Sequence, residues 1–125
     1  MAQKRILIVE DTASILDIQK QLLASRPVSV DSCMDGKEGL ARAKATKPDL
    51  LVLDAMLPGM TGFDICSELK SNPTTRDIPI FMLTSITEGT NMTDAEWAAK
   101  TGANAFLSKP FSANDFLEEI DKLLS

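Results

Sequence analysis

Leu50-Leu51-Val52-Leu53 ends abruptly at Asp54, and upstream Ile6-Leu7-Ile8-Val9 runs into Glu10-Asp11 in the same way. Two further apolar runs end in groups that handle anions: Ile80–Leu83 leads to Thr84-Ser85, and Ala105–Leu107 leads to Ser108-Lys109. Taken singly, an aspartate after a strand is commonly a turn or cap residue. Taken together, the run ends would bring three carboxylates, hydroxyls and one ammonium into a single crevice if the strands are neighbours. Carboxylates gathered in this way repel one another and call for a cation. Mg2+ suits them, because it takes a few carboxylates, keeps several waters and often shares a phosphate oxygen. Lys109 offers a compact positive charge to an anion and Thr84 a hydroxyl donor. A carboxylate can also act as a nucleophile and form an acyl phosphate. Phosphoryl transfer asks mainly for in-line positioning and charge neutralisation, which such a set could supply.

Parallel strands covered on both faces would deliver these groups. The strand candidates are Ile6–Val9, Val28–Val30, Leu50–Leu53, Ile80–Leu83 and Ala105–Leu107. Four are nearly continuous in apolar residues, as buried parallel strands are, whereas Val28-Ser29-Val30 alternates and is placed at an edge. Helical patterns fill the gaps. Ile15, Ile18 and Leu22, widened by Leu16 and Leu23, form one apolar stripe. A second helix is expected over about Lys37–Ala45, stopped before Lys47-Pro48. Phe63, Cys66 and Leu69 mark a third, ending at Asn72-Pro73. Thr93-x-x-Glu96 reads as a capping box for a fourth, closed by Gly102. The last begins at Ser112, with Asp115 at its third position and Phe111 and Phe116 as a hydrophobic staple, and runs to Leu124. Strict alternation of five strands and five helices predicts one α/β domain over residues 1–125 with a doubly wound parallel sheet. Right-handed crossovers put every strand's C-terminal end on one edge, where ligands bind in folds of this kind.

Composition narrows the chemistry. The chain has 125 residues, net charge −5 and no histidine. The acidic balance and scattered Lys and Arg argue against nucleic-acid binding by this chain. Without histidine, Ser-His and Cys-His catalysis are excluded and a zinc site is disfavoured. Any phosphoryl group carried here must therefore sit on another side chain. Cys33 and Cys66 lack metal or redox spacing and read as small apolar fillers in a reduced compartment. No apolar run approaches the roughly 20 residues that span a bilayer, and Glu10-Asp11 interrupt the N-terminal run too early for a secretory signal. A cytoplasmic location without membrane contact is the expectation.

The pattern Glu10-Asp11, Asp54-x-x-Leu57-Pro58-Gly59-Met60-x-Gly62, Thr84-Ser85 and Lys109-Pro110-Phe111 resembles the receiver domain of two-component response regulators, over essentially the whole chain. The resemblance implies a flavodoxin-like sheet in the order 2-1-3-4-5. It implies that Asp54 accepts a phosphoryl group from a phosphohistidine on a sensor histidine kinase or phosphotransfer protein. Glu10 and Asp11 would hold Mg2+, with Mn2+ as an alternative, together with Asp54 and the backbone carbonyl of Met56. Thr84 would hydrogen-bond the phosphoryl group, and Lys109 would pair with Asp54 before transfer and with the phosphoryl group after it. Ser85, Pro110 and Ile86 would stand around these groups, with a cis Lys109-Pro110 bond. Phe106 occupies the switch-aromatic position. Phosphorylation would then reshape the surface of the fourth helix, fifth strand and fifth helix for a downstream output protein or domain. On this reading the chain is a signalling phospho-switch and not an enzyme with a diffusible substrate. It would be either a stand-alone regulator or the receiver of a longer chain.

Two departures from the family pattern stand out. Met56 and Ile86 are apolar at positions flanking the route of a hydrolytic water, which predicts slow loss of phosphate. The segment Ile86–Met92 is about three residues longer than the usual spacing and reads as loop, either a tolerated surface insertion or a modified output face, with Trp97 just beyond it as a packed anchor or an interface residue. Two other chemistries suit the fold class. A flavin-binding electron carrier would need a Ser/Thr/Gly-rich phosphate loop after the first strand, where Glu10-Asp11 stand instead. A Mg2+-dependent aspartyl phosphatase would want a second acid at Met56.

Overall fold

The computed structural model describes residues 3–84, 96, 99, 101–108 and 111–125. Strands β1 (Lys4–Val9), β2 (Val28–Cys33), β3 (Leu50–Asp54), β4 (Ile80–Thr84) and β5 (Ala105–Ser108) pair in parallel in the order β2-β1-β3-β4-β5. This is the expected order, with β2 at an edge. Helices α1 (Ala13–Leu23), α2 (Gly36–Thr46), α3 (Gly62–Ser71) and a C-terminal helix (Ala113–Leu124) cover the two faces.

Side chains alternate across each strand, so every apolar run feeds two cores. Leu7, Val9, Leu51, Leu53, Met82 and Phe106 face α2 and α3, where Ala43, Ile65, Cys66 and Leu69 meet them. Ile6, Ile8, Leu50, Val52, Phe81 and Leu83 face α1 and the C-terminal helix, where Leu16, Leu23, Phe116 and Ile120 complete the layer. Burial on both faces explains why β1, β3 and β4 read as unbroken apolar sequence. Both cysteines are free and buried, as the filler reading requires.

Three of the four described helix starts are fixed by side-chain caps, α1 alone starting at Thr12 without one. Asp35 accepts from the Glu38 amide at 3.0 Å ahead of α2. Thr61 and Asp64 form a reciprocal capping box ahead of α3. Ser112 accepts from the Asp115 amide at 3.0 Å, and Phe111 stacks on Phe116 with ring centroids 5.6 Å apart, which is the expected staple.

Three expectations are corrected. Ile18 is not in the buried stripe of α1: it is 54% exposed, and buried Gln19 lies between Leu16 and Leu23 instead. Strand β2 runs to Cys33 because all six residues of β1 pair with it. Its polar half survives at the edge because Arg42 on α2 reaches both the Asp31 carboxylate and the Ser32 carbonyl. Helix α2 extends one residue beyond the expected range at each end, closing at Lys47 in left-handed backbone, φ 45°. Of the expected fourth helix, Glu96, Ala99 and Thr101 are helical, and Gly102 (φ 83°) follows as a left-handed stop. The rest of that helix, Trp97 and the segment Ile86–Met92 lie outside the described residues.

A lysine cluster fixes the approach to β5. Lys70 Nζ donates to the carbonyls of Arg76 and Ile78 and to Asn104 Oδ1. Asn104 Oδ1 also accepts from the Ile80 amide at 2.9 Å. Burial lowers the Lys70 pKa, opposed by Cys66 and Asp77 nearby.

Candidate functional site

The site lies where β1 and β3 end side by side. Val9 is in register with Leu53, so the next residue on each strand, Glu10 and Asp54, emerges at the same level of the sheet. Carboxylate oxygens of Glu10, Asp11 and Asp54 lie within 4.8 Å of one another. Glu10 and Asp54 are buried, at 1% and 7% exposure, and Asp11 is exposed. The cluster thus has a buried floor and an open side.

Local hydrogen bonds fix its members. The Thr12 amide donates to Glu10 Oε2 at 3.1 Å, turning that side chain back over the start of α1. The Met56 amide donates to Asp54 Oδ1 at 3.2 Å. Ala55 continues the β3–β4 ladder by donating to the Leu83 carbonyl at 3.1 Å, so Asp54 is held on both sides along the chain. Below it, Gly62 opens α3 and donates to the Ala55 carbonyl at 2.8 Å. A Cβ at Gly62 would collide with the Asp54 carbonyl oxygen. Only glycine lets α3 start this close to the acceptor's backbone.

The donor set suits a hard divalent cation: three carboxylates in reach of one point, hard oxygen ligands, and an open side for water or an anion. Met56, the expected backbone ligand, follows directly on this cluster, and its side chain is exposed. Among the described residues the cluster contains only carboxylates and no thiol. Cys33, whose backbone carbonyl accepts the Glu10 amide, is buried and its thiol pKa is pushed up to about 11, chiefly by burial and partly offset by Arg42. It is a protonated filler at neutral pH.

Of the remaining expected residues, Thr84 ends β4 in register with Ser108 of β5. Phe106 is buried at 5% exposure, paired with Met82 and packed in the α2–α3 core. Lys109, Pro110, Ser85 and Ile86 lie outside the described residues. The junction between β2 and α2 carries none of the expected site residues. There the Glu10 amide donates to the Cys33 carbonyl at 3.1 Å, and the Gly36 amide to the Pro58 carbonyl at 3.4 Å. The Asp35-Gly36 dipeptide before an apolar-periodic segment was its one local signal.

Residues 6–121 match the response regulator receiver domain family. The chain belongs to that family. Response regulator PleD of Caulobacter vibrioides is 39% identical over 106 residues, spanning 85% of this chain and 23% of PleD. The chain therefore covers under a quarter of that relative's length. A putative response regulator from Chloroflexus aurantiacus superposes with a TM-score of 0.87 at 28% identity, covering 98% of both chains. The receiver domain of sensor histidine kinase PA1611 from Pseudomonas aeruginosa, with a magnesium ion coordinated in its active-site cleft, superposes with a TM-score of 0.85 at 25% identity. It covers 98% of both chains. This receiver is thus one of a class of signalling phospho-switches, and among its described residues no helix is long and apolar enough to cross a membrane.

Proposed function

We propose that Asp54 is the phosphoacceptor of this receiver and that Glu10, Asp11, Asp54 and the Met56 carbonyl hold Mg2+ beside it. The observation that carries the reading is the convergence of the three carboxylates within 4.8 Å, with Asp54 pinned by the Met56 amide. The magnesium in the cleft of the similar PA1611 receiver supports it. When bound, the cation supplies neutralisation of the phosphoryl oxygens, which the carboxylates alone would repel.

The chain's own residues do the rest. The hydrogen bond to Oδ1 and the β3–β4 ladder orient the Asp54 carboxylate for in-line attack. An Asp54 oxygen bonds to phosphorus as the P–N bond to a partner's histidine breaks. The electron pair of that bond returns to the imidazole, and a mixed anhydride remains on Asp54. Lys109 and Thr84 serve as the cation and hydroxyl that hold the transferred group. Phe106, buried on β5 in the core that α2 and α3 cover, responds to Thr84 and shifts the population of the surface around β5 toward the form an output partner binds. The donor is a sensor histidine kinase or phosphotransfer protein, and the chain acts in the cytoplasm as a switch that turns over no diffusible substrate.

The test is incubation with a small acyl phosphate and Mg2+ followed by mass spectrometry. Wild type should gain one phosphoryl group and Asp54→Asn none. Equal modification of both would overturn the assignment.

A further inference from the structure

We infer that Gly36, on an element that supplies no ligand, is a positioning residue that sets the spacing between the two halves of the acidic site. The inference rests on the metal reading above.

The two halves hang from different strands. Glu10 and Asp11 follow β1, and Met56 lies in the loop between β3 and α3. That loop is closed at its base by the Gly62–Ala55 hydrogen bond, but its outer part, Pro58–Met60, leaves the sheet. The first turn of α2 supports it. Gly36 donates its amide to the Pro58 carbonyl at 3.4 Å, and its α-carbon lies against the Met60 backbone. A Cβ built on Gly36 would overlap the Met60 carbonyl oxygen and come within 3.2 Å of Met60 Cβ. Neither is the far end of a flexible side chain. Gly59 adapts to the same contact from the loop side: it has φ 81°, and a Cβ there would reach Asp35 Oδ1 at 3.2 Å.

The same short segment also holds the other half. The carbonyl of Cys33, the last residue of β2, accepts the Glu10 amide at 3.1 Å. Cys33–Gly36 is thus a strut with Glu10 at one end and the Met56 loop at the other. Helix propensity alone would favour alanine over glycine at Gly36, which is the first residue of α2. The close approach to Met60 is what excludes it. A side chain there must push the loop outward and move the Met56 carbonyl away from the carboxylates, without touching any ligand.

The experiment compares Mg2+ binding by calorimetry in wild type and Gly36→Ala, together with amide chemical shifts of the metal-free proteins. Ala41→Gly serves as the control: it weakens the same helix at an exposed position that faces neither β1 nor the loop. The expected result is Mg2+ affinity weakened at least about tenfold in Gly36→Ala, shifts at residues 56–60 before metal is added, and affinity within about twofold of wild type in Ala41→Gly. Should Gly36→Ala fail to fold, Gly59→Ala, which disturbs the contact from the loop side, must show the same loss of affinity. Folded Gly36→Ala or Gly59→Ala with wild-type affinity overturns the inference alone, as does a matching loss in Ala41→Gly. A wild-type chain that binds no Mg2+ overturns the metal reading and this inference with it.

Discussion

The Met56 amide donates to Asp54 Oδ1 at 3.2 Å, while Met56 itself is 54% exposed. The backbone orients the acceptor, and the side chain offers nothing that could orient a water. A thioether is at best a weak acceptor. The phosphorylated form should therefore persist: with Mg2+ present, Asp54 phosphate followed by mass spectrometry should last minutes or longer. Met56→Asn, which adds a donor and an acceptor at the same place, should shorten that lifetime several-fold. A wild-type lifetime of seconds would show that another group directs hydrolysis.

Crowding of the carboxylates makes a second prediction, about stability without metal. At an effective dielectric typical of protein sites, like charges at these separations cost on the order of 1 kcal/mol or more. Asp54→Asn should therefore raise metal-free stability by about 1 kcal/mol in urea unfolding. Mg2+ at 100 times its dissociation constant should stabilise wild type by about 2.7 kcal/mol. The same Mg2+ concentration should do far less for Asp54→Asn. If the variant is less stable than wild type without metal, repulsion is not what the cation relieves.

How much of this was legible follows from which interactions are local. Glu10, Asp11 and Asp54 could be read because each ends an apolar run, and strand ends share an edge in a parallel sheet. Ser112, Phe111 and Phe116 could be read because caps and staples act within one helical turn. Ile18 was misread because periodicity marks a stripe without saying which side of it meets the sheet, and the packing chose Leu16, Gln19 and Leu23. The polar end of β2 was missed because Asp31 and Ser32 are held by Arg42, a partner on the next helix. The Cys33–Gly36 strut was invisible for a similar reason. Its partners Glu10 and Pro58 are distant in sequence, and a glycine's clearance can be seen only against a packed neighbour.

Asn104 gives a third prediction. Its Oδ1 is shared at 2.9 Å by the Ile80 amide at the start of β4 and by Lys70 Nζ at the end of α3. Ile80 is fully buried, so removing this acceptor leaves its amide unpaired. Asn104→Ala should cost about 1–3 kcal/mol. Asn104→Asp keeps an oxygen in place and gives Lys70 a charged partner, so it should lose markedly less, and the Lys70 pKa should rise in it. Equal losses in the two variants, measured by chemical denaturation, would show that the shared oxygen is not what matters.

The pair Arg26–Asp121 makes a prediction with a defined pH sign. Arg26 Nε reaches Oδ1 at 2.8 Å and Nη2 reaches Oδ2 at 3.0 Å, joining the segment after α1 to the C-terminal helix. The hydrogen bond from Arg26 is the main cause that holds the Asp121 pKa below its ordinary 3.8, with burial opposing. A carboxylate with a depressed pKa stabilises the fold above its unfolded-state value, and that contribution is lost as pH falls through the folded-state value. The melting temperature of wild type should therefore exceed that of Asp121→Asn at pH 7, and the gap should close only below pH 3.8. Both partners are solvent-accessible, with side-chain exposures of 31% and 53%, so molar salt should narrow the gap at pH 7 as well. A gap that stays constant from pH 7 down to pH 2 would mean that the Asp121 side chain contributes by packing and not by charge.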